Sequence, residues 1–389
     1  MRRPAPIRTD SSNAFANNTM RVRLPAIIDE TLALNSDYDT SIQARLKKLR
    51  DEIASGAPIP PLPESEPDHA EWLGAIDKQR QIVQSQPGWH NAEWFFAETY
   101  AYRWILEAAR WQETGRDPFS PKKLAELHGK DLWRLVEGAM QPADTLADAL
   151  SRTLALDLWA NRIDLSYAAS MQHGTVTSAE DLLVDDRGTV IAHVMGEPDG
   201  VIYLVADNAG SELAMDLALV DLLLQLPGMR VVVCLKAAPT FVSDATPSDI
   251  WLMLAEMKQR GEESAALTSR LRNAWSAERL RFLPHAYWNS GHFLWDMPTS
   301  LQGALNRARL VIIKGDANYR RAVGDCLWDL QTPFADVLGY LDAPVLCLRT
   351  LKSDPLVGLP SAAMAKELSA IDPEWRVNGK RGLIQFKER

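Results

Sequence analysis

Four apolar stretches in the C-terminal half of this 389-residue chain end in groups able to do chemistry. VIYLVADNAGSE closes on Asp207 and Asn208. Strand ends of this kind face the ligand crevice of open α/β sheets. A charged oxygen beside a neutral one suits a hard divalent cation such as magnesium or manganese. The competing reading is that these residues cap the helix starting beyond Gly210, a routine use of Asp and Asn. RVVVCL is followed by KAAPTFVSDATPSDIW, which places Asp244 in a loop before a helix predicted to begin near Pro247. Asp244 either completes a carboxylate, amide and carboxylate set around one metal or caps that helix; taken alone, the cap is the commoner use.

The other two ends are cationic. RLVIIKGDANYRR sets Lys314 to Asn318 between a strand and a helix. Gly315 lets a phosphate approach the backbone, Lys314 offers positive charge, and amides at the helix entrance favour an anion. The spacing of a P-loop is absent, and GD followed by N is also ordinary turn chemistry. APVLCLRTLKSD ends in Arg349, Thr350 and Lys352, two cations and a hydroxyl that can hold phosphate oxygens or simply face solvent. The coincidence of all four ends carries the weight: acid and amide groups close two, cationic groups close two, and metal-assisted phosphoryl transfer needs both. Elsewhere the signals are weaker. The seven histidines lack HExxH spacing, no GxSxG elbow occurs, and Cys234, Cys326 and Cys347 match neither a zinc site nor a disulfide framework. VDDRG, with Asp185 and Asp186, reads as a hairpin tip.

Holding such strand ends in place calls for an α/β layered fold. After about Asp181, short β-branched runs alternate with helical stretches, predicting a doubly wound, mostly parallel sheet. TVIAHVM and VIYLVA read as consecutive strands joined through GEPDG, followed by the helix SELAMDLALVDLLLQL and the strands MRVVVCL, ARLVIIK and APVLCLR. From Thr19 to about Ser170 the three- and four-residue apolar spacing predicts helices, with the aromatic stripe of FFAETYAYRWILEAARW as core packing and GAPIPPLPESEPDHAEW as an exposed connector. The expected division is a flexible tail over 1–18, a helical domain over 19–180 and an α/β/α catalytic domain over 181–389. A formal net charge of −9 gives no global field for nucleic acid or an anionic membrane. No apolar signal core and no run of 18 apolar residues are found, so the expectation is a cytoplasmic protein whose partner is a small phosphorylated metabolite.

The same segments resemble the damage-control phosphatase family, in its acidic-residue methyltransferase-like branch. DNAGSELAMDLALVDLLL, FVSDAT, KGDANYRR and LRTLK stand in the family's order, and WNSGHFLWDMP from Trp288 and LWANRIDLS from Leu158 are similar too. The resemblance implies a helical N-terminal region on a three-layer α/β/α core. It implies a phosphatase that works with manganese, or with cobalt, nickel or magnesium, on hexose phosphates such as fructose 1-phosphate or fructose 6-phosphate. By the same resemblance Asp207, Asn208 and Asp244 are the metal ligands. The sugar phosphate then meets Asp207, Asn208, Glu212, Lys314, Gly315, Asp316, Ala317, Asn318, Arg349, Thr350 and Lys352 of the RTxK motif. Asp316 is the candidate for proton handling or nucleophilic attack, since it sits in a phosphate loop with a charge that phosphate repels. Ser211, Met215 and His292 depart from the pattern. Two alternatives stand beside this reading. An S-adenosylmethionine-dependent protein carboxyl methyltransferase needs a glycine-rich loop where this chain has DNAGSE. A non-catalytic sugar-phosphate sensor would not need the full ligand set.

Overall fold

A computed structural model describes residues 2–160, 181–196 and 199–389. Helices α1 (Leu24–Leu34), α2 (Thr40–Ser55), α3 (His69–Val83) and α4 (Trp94–Ala108) close on one core that includes Leu24, Leu46, Trp72, Trp89 and Tyr100. Asp39 caps α2 by accepting from the Ile42 amide at 2.9 Å, and Gly56 ends it in the left-handed region. The aromatic stripe is core packing, as its spacing suggested: the Trp72 and Tyr100 rings lie 4.7 Å apart. The proline-rich connector is anchored by the buried Ile59 and Leu62. Helices α5 (Ser120–Leu127), α6 (Lys130–Ala139) and α7 (Leu146–Trp159) follow, and α6 and α7 share the hydrophobic core of the sheet. The segment LWANRIDLS runs on from α7, and its residues from 161 lie outside the described residues.

The sheet has seven strands in the order β1-β7-β6-β5-β2-β3-β4. In chain order the strands and the main helices that position the site are β1 (Leu182–Asp185), α8 (Arg187–Gly196), β2 (Gly200–Val205), α9 (Ser211–Leu223), β3 (Met229–Lys236), α10 (Pro247–Met257), α11 (Glu262–Ser276), β4 (Leu280–His285), β5 (Leu310–Lys314), α12 (Gly315–Val323), β6 (Val345–Thr350) and β7 (Gly382–Lys387). Strands β2 to β6 run parallel; β7 is antiparallel to β6, and β1 runs with β7. Alternating side chains serve the two faces: Ile202, Leu204, Leu310 and Ile312 join the core beneath α6, α7, α9, α10 and α11, while Val205, Val311 and Ile313 join the opposite one. From β2 the chain winds outward to β3 and β4, then returns to place β5 on the other side of β2. The carboxyl ends of β2 and β5 therefore flank the switch in strand order, where open α/β sheets bind ligands. The chain is mixed α/β with a mostly parallel sheet, as its alternation predicted.

Three local expectations differ. TVIAHVM lies in α8 and is no strand: Val190 and Val194, four residues apart, are buried on one helical face, and that spacing outweighs β-branching. VDDRG is no hairpin tip, because β1 pairs in parallel with β7. Asp185 accepts from the Arg187 amide at 3.2 Å and Asp186 from the Phe386 amide at 2.8 Å. Within residues 1–18, expected to be loose, Ile7 is buried; its amide donates to the Asp325 carbonyl at 2.8 Å and its carbonyl accepts from the Trp94 amide at 2.8 Å. Among the described residues no helix is long and apolar enough to cross a membrane.

The Ile7 contacts give a test. Ile7→Ala should cost about 2–4 kcal/mol, the range for truncating a buried aliphatic side chain. It should appear as a lower urea midpoint at unchanged slope, whereas a loose segment predicts no change.

Candidate active site

The loops leaving β2 and β3 are fastened to each other. The Ala245 amide donates to the Asp207 carbonyl at 2.8 Å and the Ala209 amide to the Ser243 carbonyl at 2.6 Å, which brings Asp207, Asn208 and Asp244 together. Asn208 donates through Nδ2 to Asp207 Oδ2 at 3.0 Å and to Glu212 Oε1 at 2.8 Å, while the Ser243 hydroxyl donates to Asn208 Oδ1 at 2.5 Å. None of the three candidates is a helix cap. The entrance of α9 is closed by Glu126 of α5, which accepts from the Ser211 amide at 2.8 Å. The entrance of α10 carries its own capping box, Thr246 with Asp249.

Asp207 and Asp244 are buried. Burial, then Glu212 and Asp244, push the Asp207 carboxyl well above the usual range against the pull of Lys236 and Lys352. Burial likewise raises Asp244, opposed by Lys236, whose Nζ lies 3.1 Å from Asp244 Oδ2. Among the described residues Asp207 Oδ1 is buried without a hydrogen-bond partner. Across the switch, Gly315 sits at φ +77° with Asp207 so close that a Cβ there would stand 1.9 Å from Asp207 Oδ2. Only glycine meets both conditions.

Among the described residues no three carboxylate, imidazole or thiolate side chains converge as a ready metal cage. The candidate set is two carboxylates and an amide oxygen, a type of donor that magnesium and manganese accept while keeping waters. The orphaned Asp207 oxygen and the mutual repulsion of the buried carboxylates fit a cation there.

The cationic ends divide into two kinds. Lys314 was expected to meet phosphate, but its ammonium is buried between Asp157 and Asp216, 2.9 Å from Asp216 Oδ1. Burial works against its charge, and the two carboxylates more than restore it. Arg349 is buried too, away from the cavity; it pairs with Asp316 at 2.8 Å, donates to the Ser353 carbonyl and lies over the Tyr319 ring. Asn318 is a clamp: its Nδ2 ties the Ala206 and Lys314 carbonyls at 3.0 and 2.9 Å, joining the ends of β2 and β5. Thr350 and Ala317 line the cavity, and the Thr350 hydroxyl donates to the Leu158 carbonyl. Burial acts to raise the pKa of Asp316, but Arg349, Arg320, Ser353 and the Lys352 amide hold it below the usual carboxylate range. It is therefore ionised and ill suited to donate a proton. Among the described residues the ammonium of Lys352 has no hydrogen-bond or ion-pair partner, and it faces the cavity.

That cavity, about 150 Å³, holds Asp207, Asn208, Glu212, Asp244, Lys314, Gly315, Asp316 and Lys352 in its walls. Its walls also hold residues that were not foreseen: Trp94, Glu98 and Tyr102 from α4, Asp157 and Leu158 at the end of α7, Arg23, Phe241 with Ser243 from the loop after β3, Arg320 from α12 and Leu348 from β6. The signal for Asp157 is a single acid in the apolar run LALDLW. The signals for Glu98 and Tyr102 are polar atoms on an otherwise aromatic helix. The loop from Trp288 stands behind the site, where carbonyls of Trp288, Ser290 and His292 accept from Arg321, and Trp288 also accepts from Lys236 at 2.9 Å.

Comparison with known proteins adds an independent line. The Damage-control phosphatase ARMT1-like domain matches residues 19–368. The Damage-control phosphatase ARMT1 of Danio rerio is 28% identical, the alignment covering 98% of this chain and 97% of the relative. That of Mus musculus is 29% identical with 98% of each covered, and that of Bos taurus 30% identical with 88% and 85% covered. A solved DUF89 family protein from Pyrococcus horikoshii superposes with a TM-score of 0.48 at 14% identity, covering 96% of this chain and 98% of that one.

Because Thr246 caps α10 and Asp244 does not, two substitutions should separate. Thr246→Ala should lower stability by about 0.5–2 kcal/mol and leave bound metal unchanged. Asp244→Asn should lose bound metal, read by elemental analysis of the purified protein. Normal metal content in Asp244→Asn would remove it from the ligand set.

Proposed function

The chain belongs to the damage-control phosphatase ARMT1-like family, and on that premise we propose that it is a metal-dependent phosphatase of small phosphorylated metabolites, with hexose phosphates such as fructose 1-phosphate and fructose 6-phosphate as its substrates. One observation carries the reading. The buried Asp207 carboxylate keeps one oxygen without a partner while resting against Gly315, the first residue of α12. A cation-binding carboxylate and an anion-binding helix entrance therefore share one cavity, the pairing that phosphoryl transfer requires.

In this proposal Asp207, Asn208 and Asp244 hold a divalent cation, manganese first, with cobalt, nickel or magnesium able to replace it. Bound there, the cation supplies Lewis acidity to a phosphoryl oxygen and orients the nucleophile. Lys352 and the amides at the entrance of α12 neutralise the other phosphoryl oxygens, and Arg23 adds positive charge at the wall. Ionised Asp316, pinned by Arg349, suits taking a proton from an attacking water or attacking directly. Glu212, oriented by Asn208, and the aromatic walls Trp94, Tyr102 and Phe241 face the carrier of the phosphate. The organisation that accompanies this reading is a helical region over 19–180 closing a catalytic region over 181–389, in a cytoplasmic protein.

Phosphate release from a panel of sugar phosphates tests it. Chelator-treated protein should be inactive, and manganese, cobalt or nickel should restore turnover, because oxygen-ligand sites of this kind exchange metal readily. Full turnover by protein verified as metal-free would overturn the metal assignment. Lys352→Ala should raise KM more than it lowers kcat, since the loss of one charge-assisted contact is worth about 1.5–3 kcal/mol. Unchanged KM and kcat would place the lysine outside the site.

A further inference from the structure

In the cavity wall lies a charge imbalance that the reading above does not use. Lys314 at the end of β5 is enclosed by Asp157 of α7 and Asp216 of α9, and all three side chains are at most 1% exposed. Among the described residues no other cation contacts either aspartate. One ammonium therefore faces two buried carboxylates, with Glu212 of α9 adding further negative charge nearby. An uncompensated buried charge costs several kcal/mol, and binding one proton removes it. Both carboxylates lie against the one Lys314 ammonium. Two acids held this close in a buried site retain a proton between them, as in dyads that titrate as a unit. Of this pair Asp157 lines the cavity, and among the described residues its buried Oδ2 has no hydrogen-bond partner.

We propose that Asp157 is the catalytic acid of this site, delivering the proton that the Asp157 and Asp216 pair retains to the leaving oxygen of the substrate. The inference rests on the phosphatase reading. As the bond from water oxygen to phosphorus forms, the bond from phosphorus to the carrier oxygen breaks and its electron pair stays on that oxygen. The proton on Asp157 Oδ2 passes to it, giving the free alcohol. The proton lost by the water is taken up at Asp316 and returns to the Asp157 and Asp216 pair through solvent, so the sum is ester plus water giving alcohol plus phosphate. Burial holds the Asp157 carboxyl well above the usual range against the pull of Lys314, with Asp216 adding to the rise, so the acid form persists where ordinary carboxylates have lost it. Asp316, held ionised, cannot fill this role.

Two esters that differ in leaving group test the assignment. A hexose phosphate expels an alkoxide, which needs a proton. p-Nitrophenyl phosphate expels a stabilised phenolate, which does not. Asp157→Asn leaves Lys314 balanced by Asp216, so the fold should survive. It should lower kcat on the hexose phosphate by about 10²–10³-fold, within the range for general acid catalysis, and on the aryl ester by less than about tenfold. Asp216→Asn leaves Asp157 and Lys314 as a balanced pair and favours ionised Asp157. The high-pH limb of kcat for the hexose phosphate should then move to lower pH, with the aryl profile unmoved, a result that stands even if Asp157→Asn fails to fold. Equal losses on both esters, or an unmoved limb in Asp216→Asn, would overturn the assignment and leave the phosphatase reading intact. A wild-type protein that releases phosphate from neither ester overturns both.

Discussion

The contact between the Asp207 carboxylate and the backbone of Gly315 is the constraint on which the site depends. A Cβ at residue 315 would come within 1.9 Å of Asp207 Oδ2, so the loop after β2 and the entrance of α12 meet with no side chain between them. The meeting follows from topology. Parallel strands β2 and β5 are neighbours in space although β3 and β4 separate them in sequence, so their carboxyl ends open on one crevice. Asn318 fastens the two ends from below by donating to a carbonyl from each. A group bound at this point touches an acidic loop and a helix entrance at the same time. Neither strand end alone offers that.

Charge matching governs the remainder. Arg320 is paired with Glu98 and Asp325, Arg349 with Asp316, Lys236 with Asp244, and Arg321 lies among main-chain carbonyls. Each of these buried cations holds an element or a carboxylate in place, and breaking such a pair strands a charge. Among the described residues Lys352 faces the cavity without an internal partner, with Arg23 at the wall. The cationic strand ends therefore differ: Lys314 and Arg349 have their charge engaged by carboxylates of the protein, whereas Lys352 does not.

Much of this was legible in the sequence because a parallel sheet writes its site at strand ends. An apolar run followed by polar residues and a helix marks both the strand and the position of its last side chains, so Asp207, Asn208, Asp244 and the loop from Lys314 could be named from spacing. Thr246 with Asp249 and the distant Glu126 take over capping, which a one-dimensional reading cannot tell from capping by Asp244 or Asp207. The helix Arg187–Gly196 was hidden by its β-branched residues; the four-residue step between Val190 and Val194 was the better guide. Asp157 was not visible as a site residue because its importance is set by partners 59 and 157 positions away, Asp216 and Lys314, which only the fold brings together. The packing of α6 and α7 beneath the sheet was hidden for the same reason.

The site also places function in tension with stability. The folded-state pKa of Asp207 is raised above its unfolded value, so folding favours the protonated form. The sign follows: stability associated with this group is present at low pH and is lost as pH rises through the folded value. At neutral pH the metal-free fold thus works against its own buried carboxylates. A cation held on Asp207 and Asp244 would remove that cost and, binding the native state alone, would add stability that grows with its concentration relative to Kd. On the proposed assignment, the carboxylates that cost the fold stability are the ones that would hold the cation, and their neutral amide counterparts would relieve that cost only by giving up the ligands.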